Sequence, residues 1–122
     1  MSIPPEEYDI VIRKGGKFYI EFQQLQDDGQ PISLAGKTLK GRVKESFNST
    51  VVLHDLTEAN GGLVKVDEAN GIFGMLIRSD QSNVTADFGV YDIMAIDNAY
   101  PTIESEFIVV GKITYEMGVT QQ

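Results

Sequence analysis

Apolar and polar positions alternate along this chain in short runs, each closed by a turn. Phe18, Ile20 and Phe22 share one face while Lys17, Tyr19, Glu21 and Gln23 share the other. A period of two marks a strand with one buried side. That strand is expected to run to about Gln26 and meet Asp27-Asp28-Gly29, where Gly29 can take a positive φ without steric cost. Pro31 withholds a backbone donor, which suits a turn or edge position. Ile32 and Leu34 point to the core, and Ala35-Gly36 turns the chain again. The next strand places Leu39, Gly41 and Val43 inward and Lys40, Arg42 and Lys44 outward.

The same reading predicts a first strand over Tyr8–Arg13, with a turn at Lys14–Lys17. Further strands are predicted over Val51–Thr57, Leu63–Val66, Ile72–Arg78, Gly89–Ile96 and Glu106–Glu116. Asn60-Gly61 and Asn70-Gly71 are strong reversal signals. Ser79–Val84 reads as one helical turn, capped by Ser79, that crosses between sheets, with Val84 or Phe88 plugging the end of the sandwich. Val90 falls out of step with Tyr91, Ile93 and Ala95, so both faces of that strand are expected to be partly buried. Gly111 marks a bulge or a close backbone approach. Pro4-Pro5 favours an extended arm over residues 1–7. The domain then occupies residues 8–117 and a tail residues 118–122. Eight to ten short strands at close spacing predict an all-β fold, an immunoglobulin-like antiparallel β-sandwich with at most one short helical turn.

Composition narrows the function classes. The 122 residues fit one domain with a real core at 42% hydrophobic content. A formal net charge of -8 opposes binding to nucleic acid or anionic lipid. No apolar run is long enough to cross a bilayer, and the acidic N-terminus does not read as a signal peptide. The absence of Cys excludes disulfides and thiolate metal sites. Acidic pairs such as Asp27-Asp28 and Asp67-Glu68 match no calcium loop, and neither glycine pair forms a phosphate loop. No cofactor, metal or catalytic residue is expected. The one histidine, His54, is expected at the surface or rim beside Asp55, because no partner set for catalysis assembles around it. The aromatic residues are expected to be mainly core fillers by their alternation, with Tyr100 beside Pro101 exposed at a loop tip.

The Lys40, Arg42, Lys44 row is the densest positive patch in an acidic protein. It is either a solvated strand face or a docking surface for an acidic partner. With Ile3, Pro4 and Pro5 of the arm and Tyr100 and Pro101 of the loop tip, it completes the candidate protein contacts.

The order and spacing of several motifs resemble a known family. These are Gly16-Lys17-Phe18-Tyr19-Ile20-Glu21-Phe22, then Asp28-Gly29-Gln30-Pro31-Ile32-Ser33-Leu34-Ala35-Gly36, and a strand end near Arg42-Val43-Lys44-Glu45-Ser46. Thr57-Glu58-Ala59-Asn60-Gly61-Gly62-Leu63, Asn70-Gly71-Ile72 and Ser79-Asp80-Gln81 follow. Phe88-Gly89-Val90-Tyr91-Asp92-Ile93 and Val110-Gly111-Lys112-Ile113-Thr114-Tyr115 close the pattern. From about Tyr8 to Thr120 the chain resembles the immunoglobulin-like amino-terminal domain of phage baseplate upper proteins and the single-domain proteins akin to it. The resemblance implies a bacteriophage virion structural protein, made in the bacterial host cytoplasm. It would be a non-catalytic assembly or adaptor component of the tail or baseplate. It also implies other virion proteins as partners, with symmetric homo-oligomers in the assembly. Baseplate upper proteins continue past this domain, whereas this sequence stops at Gln122. A capsid decoration protein is the alternative within that class, and a carbohydrate- or cell-surface-binding module the alternative outside it.

Overall fold

The computed structural model describes residues 6–120. Nine strands and one helical turn lie among them: β1 (Glu6–Glu7), β2 (Ile10–Lys14), β3 (Phe18–Gln23), β4 (Lys37–Lys44), β5 (Val52–Thr57), β6 (Leu63–Asp67), β7 (Ile72–Ile77), α1 (Ser79–Ser82), β8 (Phe88–Asp97) and β9 (Glu106–Met117). They form two sheets. The larger has the order β1-β9-β8-β4-β5, with β2 also on β9; the smaller has the order β3-β7-β6. This is the expected all-β, immunoglobulin-like sandwich with a single short helix. The two N-terminal strands run parallel to β9, whereas the other pairings are antiparallel.

The alternation in the sequence sorts side chains to the two faces of each sheet. Ile10 and Ile12 of β2, Leu39 and Val43 of β4, and Leu56 of β5 point inward from the larger sheet. So do Tyr91, Ile93 and Ala95 of β8 and Val109, Ile113 and Tyr115 of β9. Leu63, Phe73, Met75 and Ile77 meet them from the smaller sheet, where Phe18, Ile20 and Phe22 are half-buried against the same cluster. Each large apolar side chain fully buried in such a layer contributes about 1.5–3 kcal/mol.

The stretch after β3 carries the chain from the smaller sheet to the larger. Leu25 bridges Pro31, Gln26 N donates to Gln30 O at 2.8 Å, and Gly29 sits at φ 85°. Leu34 is fully buried while Ile32 is only half-buried. At the two Asn-Gly reversals only the glycine takes a positive φ, 79° at Gly61 and 71° at Gly71. Asn60 instead uses its side chain: Oδ1 accepts from Thr57 N and Gly62 N, and Nδ2 donates to Asp55 O.

The helical turn carries the chain back between the sheets, as expected, but Ser79 does not cap it. Arg78 occupies the cap position, and its backbone N donates to Gln81 Oε1 at 3.0 Å. The buried serine is Ser82. Its Oγ accepts from Gly15 N at 3.0 Å and donates to Gly16 O at 2.8 Å, which ties the crossing to the β2–β3 turn. Val84 packs against the core, whereas Phe88 stands at the surface.

Candidate docking surface

The outer face of the larger sheet gathers the chain's basic row. Register fixes its layout, because residues directly opposite in antiparallel strands share a face. Lys40 lies across from Met94, and Met94 from Phe107. Arg42 lies across from Asp92, and Asp92 from Val110. Lys44 lies across from Val90, and Val90 from Lys112. On the other side Asp55 of β5 faces Arg42 and holds its Nε at 3.0 Å. The result is an open groove of about 330 Å³ that runs between the β4 cations and the apolar side chains of β8 and β9, with Phe47 at its rim.

Phe47 is 76% exposed and Phe107 44%. The expectation that the aromatics fill the core therefore holds for Phe73, Tyr91 and Tyr115 and fails for Tyr19, Phe47, Phe88 and Phe107. Phe47 follows the end of β4 in an irregular loop, where alternation carries no facing information. Phe107 precedes a register shift opposite Ile93/Met94, which turns it outward while Ile108 turns in. Val90, Asp92, Met94 and Lys112 belong to the surface too. Their signal in the sequence is the out-of-step Val90.

The electrostatics of the groove are asymmetric. Arg42 is engaged by Asp55. Among the described residues, no carboxylate lies within ion-pair distance of Lys40 or Lys44. Burial between strands raises the Asp92 carboxyl above its ordinary value, opposed by the charges of Lys44 and Arg42.

Tyr100 and Pro101 occupy the β8–β9 loop and are exposed, as expected, with Ile103 beside them. Asp97 Oδ1 accepts from Ala99 N and Tyr100 N at 2.9 Å each, and Ser105 Oγ donates to Pro101 O. The loop is thereby fixed by its own hydrogen bonds. Neither residue lines the groove. Ile3, Pro4 and Pro5 lie outside the described residues. The segment they lead into pairs with β9: Glu6 and Glu7 sit opposite Val109 and Val110.

His54 is not at the surface. It points inward from β5, 7% exposed, and its Nε2 lies 3.0 Å from Tyr115 Oη. The register explains this, since His54 faces buried Val43 while Asp55 faces Arg42 on the outside. Burial pushes the imidazole below its ordinary value and the Tyr115 phenol above its own. The folded chain therefore resists protonation of His54, and the unfolded chain accepts it near pH 6.5. Stability is expected to be complete above that pH and to fall as pH drops toward the folded value, by at most about 1.4 kcal/mol per pH unit. Asp92 acts in the opposite sense. Its raised value makes protonation stabilising, a contribution that is lost as pH rises from about 3.8 through the folded value. Urea titrations of His54→Gln from pH 7.5 to 5 should show a flatter profile than the parent. An identical slope would place His54 in solvent.

No group of three or more metal-ligating side chains occurs among the described residues, and no helix there is long and apolar enough to cross a membrane.

No family model matches the chain, and no curated protein matches it. A solved structure does, at a TM-score of 0.60 and 13% identity, over 93% of this chain and 90% of the other. In fold, across nearly the full length of both, this chain is similar to the N-terminal domain of phage TP901-1 ORF48.

Proposed function

We propose that this chain is a non-catalytic structural component of a phage particle, an assembly or adaptor part of the tail or baseplate. The observation that carries this reading is the shared fold with a phage protein's N-terminal domain over almost all of both chains. The surface supports the reading as well. It offers a half-apolar, cation-lined sheet face and a loop tip fixed in shape, both suited to binding by complementary contours. The strand β5 closes one side of the larger sheet, while β3 and β6 bound the smaller. Such edges can take strands from neighbours. The chain works as one of several copies in a symmetric assembly, beside other virion proteins. Mass spectrometry of phage particles released by cells that express the chain tests this, with heads and tails separated. The chain is expected in the tail fraction. Enrichment with heads would point to capsid decoration, and absence from particles would overturn a virion role.

A further inference from the structure

The groove on the larger sheet has a complement on the same molecule. Around the groove the outer face presents Lys40, Arg42, Lys44 and Lys112 against two carboxylates, Asp55 and Asp92, with Arg13 and Glu116 paired further along the sheet, in a chain whose net charge is -8. The remainder of the surface is therefore strongly acidic. One acidic feature of it is the tip between β3 and β4, where Asp27 and Asp28 border a hollow shared with Lys37 and Glu106. Leu25 bridges Pro31 at its base, Gly29 N donates to Gln26 O at 2.9 Å, and Gln30 N donates to Asp28 Oδ1 at 3.0 Å. These bonds fix the shape of the tip. Asp27 and Asp28 are exposed, neither has an ion pair among the described residues, and Leu25 beside them is 43% exposed.

We infer that the occupant of the groove is a second copy of this chain, which inserts its Leu25–Gln30 tip. Asp27 and Asp28 then meet the Lys40–Arg42–Lys44 row, and Leu25 enters the apolar pocket beside Met94, Phe107 and Phe47. The spacing allows this. Alternate residues on β4 stand about 6.6–6.8 Å apart. Successive Cα atoms in the tip are about 3.8 Å apart, and their side chains can diverge to two neighbouring cations. Two grooves cannot face each other instead, because like charges would be brought together. A tip-in-groove contact closes reciprocally as a two-fold dimer or repeats head-to-tail as a ring or an open helical array. This inference rests on the structural role proposed above and specifies one of its contacts.

Sedimentation and light scattering of the purified chain test it up to millimolar concentration in 0.15 M salt. There the Debye length is about 8 Å, so long-range repulsion between acidic chains is damped while local pairs persist. The parent is expected to self-associate. Lys40→Glu with Lys44→Glu, and separately Asp27→Lys with Asp28→Lys, should each raise the dissociation constant by tenfold or more, about the effect of breaking close charge pairs. All four positions are exposed or half-exposed, so circular dichroism should show both variants folded. Mixed together, the two variants keep the parental contact between one variant's tip and the other's groove and gain its charge-reversed counterpart, so mixing should restore association. A parent that stays monomeric overturns the inference, as does a groove variant that associates normally or a mixture that forms no complex. A monomeric parent that is nonetheless found in purified tails would remove this contact and leave the structural role standing.

Discussion

Substitution of Gly111 by valine is expected to cost about 3–5 kcal/mol and to release the N-terminal strand from β9, by overpacking and lost hydrogen bonds together. The physical reason is a backbone approach that leaves no room for a side chain. A Cβ at Gly111 would overlap the Tyr8 carbonyl oxygen and sit 2.8 Å from Tyr91 Cε1. The segment between β1 and β2 passes directly over this position. Tyr8 N donates to Val110 O at 2.9 Å, Tyr91 Oη donates to Tyr8 O, and Lys112 N donates to Asp9 Oδ1 at 2.9 Å. A methyl group alone must push Tyr8 away and disrupt these bonds. Overpacking costs about 1–3 kcal/mol, and each hydrogen bond lost adds about 0.5–1.5 kcal/mol. Against a total stability of about 5–15 kcal/mol for a typical domain, that is a large fraction. Urea denaturation of Gly111→Ala and Gly111→Val would measure it. Hydrogen exchange at Tyr8, Val110 and Lys112 would show whether the strand has come loose. A loss under about 1 kcal/mol, the low end of the overpacking range, with unchanged exchange would mean that the approach is not as close as described.

The second large effect is expected at the centre of the sandwich. Phe73→Ala should destabilise the fold by about 3–5 kcal/mol, the usual cost of emptying a large buried aromatic site. Phe73 is 1% exposed. Its ring stacks on Phe22 at 5.4 Å, and Phe22 in turn meets Tyr8 edge-on at 5.7 Å. The row ties the smaller sheet to the N-terminal segment of the larger one, so the cavity would weaken both. Phe47→Ala should change stability by no more than about 0.5 kcal/mol, because Phe47 is a surface residue at the rim of the groove. Comparing the urea midpoints of the two variants separates core aromatics from contact aromatics. Equal losses would contradict that division.

Both predictions turn on positions that are legible in the chain to different degrees. Phe73 stands in an apolar run between two turns, and its burial follows from that context. Gly111 carries a bulge or close-approach signal, but the sequence does not say what approaches; the answer is Tyr8, on a distant part of the chain. His54 illustrates the opposite failure. Beside a carboxylate it reads as a surface residue, but a strand sends neighbours to opposite faces, and the core holds the histidine while solvent meets Asp55. Phe107 departs from its expected burial for a related reason. A register shift between Ile93 and Met94 reverses the alternation opposite it, and such a shift is set by strand pairing rather than by the local pattern.

Local order is written in the chain directly: which runs become strands, where glycine and proline reverse the backbone, and that Lys40, Arg42 and Lys44 face outward from β4. These features follow from the two-residue period and from turn stereochemistry, which act over a few neighbouring positions. Folding in three dimensions had to settle the sheet order, the parallel docking of β1 and β2 on β9, and the burial of His54 against Tyr115. It also had to unite the basic row with Met94 and Phe107 in one groove. Those outcomes depend on pairing between distant strands, whose free energy is a sum over many weak contacts that no single segment encodes.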